Sequence, residues 1–301
     1  MSTPPAMSRC GYAAIVGRPN VGKSTLMNYL VGQKISITSK KPQTTRHRIL
    51  GVKTREDAQV LYVDTPGVHK AGKKAMNRFL NRTAMGALAD VDVIVFVVEA
   101  GQWKEEDAIV LENIKGAEAP VILAINKVDR MTDKTALLPF IQKISALAEM
   151  KETIPVSALK GDNLIQLEER VVSYLPESPP VFGEDELTDK SMRFLAAEIV
   201  REKLMRALEK ELPYSVAVEI EEYKERSHIT DISACIWVER ASQKGIVIGK
   251  KGQTLKLIGT QARQDLEKLI DGKVNLKLWV KVKEGWSENE RILRSLGLDE
   301  T

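Results

Sequence analysis

Short, near-continuous apolar runs alternate with stretches of helical periodicity through the first 175 residues of the chain. Residues 12–16, 60–63, 93–98, 121–125 and 154–156 read as strands rich in Val and Ile. Between them, residues 24–31, 75–88, 105–114, 136–150 and 164–174 carry the spacing of amphipathic helices. Strands that are apolar throughout, rather than at alternate positions, are buried on both faces. Repeated βα units of this kind predict a doubly wound, mostly parallel α/β sheet covered by helices.

The pattern stops at Pro176. Residues 176–188, PESPPVFGEDELT, hold three prolines, a glycine and four acidic residues, and read as an extended linker. Beyond it the order changes to a long helix (189–211), two strands (214–222 and 229–239), a helix, a glycine-rich turn, another helix (254–270) and a strand (274–282). Ser287-Glu-Asn-Glu supplies a capping box for a closing helix. The chain is therefore expected to hold an α/β domain over 1–175, a linker over 176–188 and a smaller α+β domain over 189–301, with no internal repeat.

Composition narrows the classes. A chain of 301 residues suits two domains and buries a core without metal or disulfide staples. Its two cysteines, Cys10 and Cys235, cannot build a disulfide framework or a four-ligand zinc site, and read as packed thiols. The histidines, His47, His69 and His228, form no cluster at ligand spacing. The longest apolar run, 93–98, is far too short for a membrane span, and the N-terminus lacks a signal-peptide pattern. A soluble protein of a reducing compartment is expected. The net charge of +4 is modest, but residues 240–283 carry 11 basic against 3 acidic groups, net +8.

Candidate chemistry begins where the first strand ends. Gly17-Arg18-Pro19-Asn20-Val21-Gly22-Lys23-Ser24 is a G-x-x-x-x-G-K-S loop between a strand and a helix. Its backbone N–H groups and the helix N-terminus can cradle phosphates, Lys23 can reach the β- and γ-phosphates, and Ser24 can ligate Mg²⁺. Asp64-Thr65-Pro66-Gly67 ends the strand at 60–63, where a metal-side carboxylate and γ-phosphate sensor belong. Asn126-Lys127-Val128-Asp129 ends the strand at 121–125. Asp129 can accept from guanine N1–H and N2–H together, whereas with adenine a buried carboxylate would lose both partners. Ser157-Ala158-Leu159 follows the strand at 154–156, where backbone N–H groups could face guanine O6. Each element alone is weak; four in order, each at a strand's C-terminal end, point to a GTP-hydrolysing enzyme.

The basic stretch 40–48 lies between the first helix and the next strand, where a threonine should close over Mg²⁺ and the γ-phosphate. Thr44 and Thr45 both qualify; Thr45, directly before Arg46, matches the G-x-T-R pattern of related GTPases and is favoured. Lys23, Thr45, Asp64 and Gly67 are thus the candidate catalytic set, and Ser24, Thr45 and Asp64 the metal ligands. Val68 stands where Ras-like proteins place a water-orienting glutamine, so intrinsic hydrolysis is expected to be slow. Asn20 resembles the asparagine that ligates K⁺ in some GTPases with this loop.

Ile248, Gly249, Lys250, Lys251 and Gly252 form a second candidate site. A G-x-x-G turn brings N–H groups close to phosphates, and the two lysines add charge. With two strands and a helix before it and a helix and strand after, the α-β-β-α-α-β order resembles a type II KH domain, whose loop clamps single-stranded RNA. Ile246, Val247, Ile248 and Leu255 would floor the groove for bases. Trp237, Trp279 and Trp286 could stack on bases, although packing is the commoner fate of tryptophan.

The GRPNVGKS loop, KPQTTR stretch, DTPG and NKVD, joined to VIGKKG and the ending VNLKLWVKVKEGWSENERILRSLGL, resemble the Era family over essentially the whole chain. The resemblance implies a P-loop GTPase domain followed by a KH domain, Mg²⁺ and GTP or GDP as ligands, and the small ribosomal subunit as partner. It further implies recognition of the small-subunit rRNA 3′ end, a role in subunit maturation, a cytoplasmic monomer, and, for some members, peripheral contact with the inner membrane. The alternative is a GTPase whose second domain docks a protein or membrane; the Gly-Lys-Lys-Gly turn favours RNA.

Overall fold

The computed structural model describes residues 8–39, 41, 44–67, 90–208, 212 and 216–286, which fall into two compact units. The first contains β1 (Arg9–Val16), α1 (Lys23–Val31), β2 (Ile49–Thr54), β3 (Ala58–Asp64), β4 (Val93–Glu99), α2 (Glu105–Ile114), β5 (Val121–Asn126), α3 (Leu137–Ser145), β6 (Glu152–Pro155) and α4 (Leu164–Tyr174). Its sheet runs β2-β3-β1-β4-β5-β6, parallel except for β2. The core needs no alternation: Val93–Val98 are all buried, and Ala14, Val16, Ile94, Phe96 and Val98 pack with Val110, Leu111 and Ile114 of α2. After β1 the chain goes to one side, towards β3, and later to the other, at β4. In open α/β sheets that reversal opens a crevice beyond the strands' C-terminal ends, where ligands bind.

Two elements depart furthest from the sequence reading. β2 lies outside the expected strands: ILGVKT follows a basic loop and pairs antiparallel, as an edge, with β3. α3 stops at Ser145, five residues short of the expected end. The segment read as an extended linker is extended but anchored within this unit. Gln59 Oε1 accepts the N–H groups of Val181 and Phe182, and Val52 N–H donates to Leu187 O. Phe182 packs on the cluster of Cys10, Leu50, Val52, Leu61 and Val63. The helix expected over 75–88 and the one beginning at Ser287 lie outside the described residues, as does Val68.

The second unit contains α5 (Met192–Ala207), β7 (Val216–Glu225), β8 (Thr230–Val238), α6 (Ala241–Ile248), α7 (Gln253–Ile270) and β9 (Val274–Val282). β8 pairs antiparallel with β7 and parallel with β9. Alternate residues of β8 build this core: Ile232, Ala234, Ile236 and Val238 pack with Ile199, Val200 and Leu204 of α5 and Ile258, Ala262 and Leu266 of α7, although Ser233 and Cys235 between them are buried too. One helical face and one sheet face make this core. Ser191 caps α5 by accepting from Phe194 N–H. α5 also buries four charged residues, Glu198, Arg201, Glu202 and Lys203, which an amphipathic surface helix would expose. Arg201 and Glu202 bond to Thr44 and Thr38 of Ile37–Thr44, a segment that belongs to this unit, while Glu198 pairs with Arg201 and Lys203 with Glu202 and Asp265.

Candidate functional site

Residues Gly17–Ser24 turn from the end of β1 into α1. Gly22 is the N-cap at φ 105°, and a Cβ there would lie 2.3 Å from Asn126 Nδ2, so only glycine lets the loop approach β5. Lys23 is almost fully buried, and its Nζ donates to the main-chain oxygens of Gly17 (2.9 Å) and Arg18 (3.0 Å). Burial lowers its pKa to about 8, against the attraction of Asp64. A lysine held in this way keeps its ammonium at low dielectric, where its charge acts strongly. Val21 is buried, Asn20 is exposed, and Gly67 abuts the loop at Pro19.

Ser24, Thr45 and Asp64 come together beside the loop. Ser24 Oγ lies 2.9 Å from Thr45 Oγ1. Thr44 points elsewhere: its hydroxyl donates to Lys41 O at 2.6 Å and meets Ser39 Oγ at 2.7 Å. Asp64 is fully buried; Oδ2 accepts from Ser36 Oγ at 2.8 Å, while Oδ1 has no hydrogen-bond partner among the described residues. Burial raises the Asp64 pKa, opposed by Lys23, Ser24, Ser36 and Thr65. An orphaned carboxylate oxygen beside two hydroxyls is a hard oxygen donor set, and it fits Mg²⁺, which takes one or two carboxylates and keeps the rest for water and phosphate. Thr65 is a buried prop, its hydroxyl donating to Ile15 O, and Pro66 is buried beside it.

At the other end of the site Asn126 acts as a latch. Nδ2 donates to Val21 O (2.8 Å), and Oδ1 accepts from the N–H groups of Lys127 (2.7 Å) and Ala158 (2.9 Å). Asp129 lies in the 3₁₀ turn Val128–Arg130, exposed, with Oδ1 accepting from Ser157 Oγ at 2.6 Å. That bond aims the carboxylate and leaves its other oxygen for a base. Because Asp129 is exposed, discrimination against adenine needs the base itself to cover it. The main-chain N–H groups of Ser157 and Ala158, expected to face guanine O6, have partners inside the protein. Ala158 N–H goes to Asn126 and Ser157 N–H to Asp162 O, so both are engaged within the protein, and Leu159 is exposed.

In the second unit, Gly249 and Gly252 (φ 74° and 76°) bracket the turn between α6 and α7. A Cβ on Gly249 would lie 2.1 Å from Thr254 Oγ1. Lys250 and Lys251 are exposed at its apex, as a phosphate cradle requires. The apolar floor is narrower than the sequence implied: Val247 is buried in the core, Ile248 and Leu255 pack against it, and Ile246 is exposed. Trp286 is fully buried, and Trp237 donates from Nε1 to Glu219. Cys10 and Cys235 are buried, unpaired thiols, burial pushing the latter up to about 12. Among the described residues no three His, Cys, Asp or Glu side chains could hold a metal, and no helix is long and apolar enough to cross a membrane.

Sequence reasoning missed the charges on α5. Glu202 Oε1 accepts from Thr38 N–H at 2.9 Å, Arg206 donates to Thr38 O, and Arg201 donates to Thr44 O while paired with Glu198. Lys41 Nζ donates to the last-turn carbonyls of Met205 and Leu208. The signal was present: acidic and basic residues interrupt the apolar face of AAEIVREKLMRA.

Residues 12–127 match the family model described as 50S ribosome-binding GTPase, and residues 211–287 match the KH domain model. The chain is 57% identical over 293 residues to GTPase Era of Pseudomonas aeruginosa (97% of this chain, 96% of the relative). It is 58% identical over 291 residues to that of Coxiella burnetii (97% and 98%). Two solved structures, each 44% identical and covering 97% of this chain and 100% of their own, superpose closely. One is a point variant of Aquifex aeolicus Era bound to GDP and AlF4⁻ (TM-score 0.93), the other Era with MgGDPNP and nucleotides 1506–1542 of 16S ribosomal RNA (TM-score 0.94).

Proposed function

Because the chain belongs to the Era family of GTPases, we propose that it is a GTP-driven switch that binds the 3′ end of small-subunit ribosomal RNA and acts in maturation of that subunit. It is a GTPase, a P-loop domain followed by a KH domain. The observation that carries the proposed residue roles is the meeting of Ser24, Thr45 and the orphaned Asp64 oxygen beside Lys23. In this reading Lys23 holds the β- and γ-phosphates, and Asp129, aimed by Ser157, reads guanine. Ser24, Thr45 and Asp64 would hold Mg²⁺, which when bound would neutralise charge developing on the phosphate oxygens. Asn20, exposed at the loop's apex, offers an amide oxygen suited to K⁺; its main-chain oxygen takes the Lys127 ammonium at 2.6 Å.

RNA contact falls to the Gly249–Gly252 turn with Lys250 and Lys251. Coupling is supported by the chain itself. Thr45 is preceded by Ile37–Thr44, and that segment is held by α5 of the RNA-binding unit. We propose further that the protein works as a cytoplasmic monomer, with any membrane contact peripheral. GTP turnover by the purified chain, with and without RNA carrying the small-subunit 3′ end, tests the reading. RNA-dependent binding and turnover are expected. Turnover without RNA binding would instead favour a second domain that docks protein or membrane.

A further inference from the structure

Outside the residues that would touch the nucleotide, one carboxylate joins two of the motifs. Glu99 ends β4, paired in register with Asn126 at the end of β5. A single oxygen, Oε2, takes the Arg18 guanidinium at 3.0 Å and the Lys127 ammonium at 2.9 Å. Arg18 belongs to the phosphate loop and Lys127 to the base motif. Arg18 is held from its other side by Asp107 of α2, Nε to Oδ2, at 3.0 Å. Asp107 is fully buried and itself fixed by Lys104 N–H at 2.9 Å.

The backbone shows what this network holds. Asn20 and Lys127 have φ of 64° and 67°, a left-handed conformation that asparagine tolerates and lysine seldom adopts unless neighbours hold it there. Those two residues are tied directly, Lys127 Nζ to Asn20 O, and Glu99 anchors the same ammonium. The Arg18 and Glu99 side chains are 6% and 14% exposed, so salt screens the pair weakly. Burial alone would raise the Glu99 pKa, but Lys127 and Arg18 outweigh it and hold the carboxyl below its ordinary value. Without that charge, two cations would face each other across the seam between phosphate loop and base motif.

We infer that Glu99 is a positioning residue for guanine recognition: it fixes the base motif against the phosphate loop, so that Asp129 meets a base whose phosphates are already seated. The inference rests on the nucleotide-site reading above. Glu99 acts through Arg18 and Lys127 and lies in neither motif, so no motif search would find it.

Binding of GDP and of IDP, whose base lacks the 2-amino group, separates positioning from general stability. Wild-type preference for GDP over IDP tests the base site by itself; its absence would sink the underlying reading. In Glu99→Gln the GDP dissociation constant should rise roughly ten- to a hundredfold, the scale of one lost charge-assisted hydrogen-bond set. IDP affinity should fall less, narrowing the ratio, and Glu99→Asp should restore part of it. Combined with Asp129→Asn, the effect of Glu99→Gln should shrink, since the two act on one interaction. Thermal unfolding of each variant reports stability separately. An equal loss for both nucleotides, an equal gain of the kind added positive charge would give, or no change would each overturn the role of Glu99.

Discussion

Lys23 should take up a proton when nucleotide binds. Burial holds its pKa near 8 in the free protein, well below the usual 10.5. Phosphate oxygens at hydrogen-bond distance favour the ammonium and push the value back up. With the bound lysine charged throughout, binding should take up about 0.1 proton at pH 7, about 0.5 at pH 8 and about 0.9 at pH 9. Affinity should then fall by up to roughly tenfold per pH unit above pH 8. Titration calorimetry with GDP in buffers of different ionisation enthalpy measures the uptake directly. These pH values lie above the second phosphate ionisation, near 6, so the ligand adds little. Lys23→Arg, charged at every pH, should bind without it. Uptake no greater at pH 9 than at pH 7 would refute the argument. Stability of the free protein has the opposite sign. The unfolded chain binds the proton more tightly between about 8 and 10.5, so folding stability should rise with pH through that window.

Asp129→Asn should weaken GTP binding and favour xanthosine triphosphate, whose C2 carbonyl can accept from the new amide; competition titration reads it, and unchanged preference would remove Asp129 from the base site. Changing both Lys250 and Lys251 to Ala should weaken RNA binding and flatten its salt dependence by about 0.7 slope units per phosphate contact, with free-protein GTP hydrolysis persisting; an unchanged slope would make the turn structural. Turnover should rise when K⁺ replaces Na⁺ at constant ionic strength, and Asn20→Ala should abolish the difference; equal rates in the two salts would reject the ion. Glu202→Ala should destabilise the second unit by about 3–5 kcal/mol, since it strips a buried partner from Lys203, Arg206 and Thr38 at once; denaturant unfolding within about 1 kcal/mol of wild type, on the order of a surface substitution, would contradict the burial argument.

What the sequence made legible is what local rules control. β4 and β5 announce themselves by unbroken apolar runs, α2 and α4 by helical spacing that matches the observed bounds, and the phosphate loop by glycines whose space is fixed locally. The rest is decided by partners distant in the chain. β2 is an edge strand whose pairing with β3 no alternation signals. Val247 lies on the sequence beside exposed Ile246, and only packing against the second core decides which of them is buried. Ala158 N–H reads as available for a base, yet Asn126, 32 residues earlier, takes it. Glu99 shares an oxygen between residues 81 and 28 positions away, a relation with no sequence signature.

The central claim is that this GTPase acts on small-subunit ribosomal RNA. Crosslinking the protein to RNA in living cells and sequencing what is attached tests it most directly. Reads concentrated at the 3′ end of small-subunit rRNA, lost when Lys250 and Lys251 are replaced by Ala, are the predicted result. Reads scattered over cellular RNA, or a 3′-end signal indifferent to those two lysines, would contradict it.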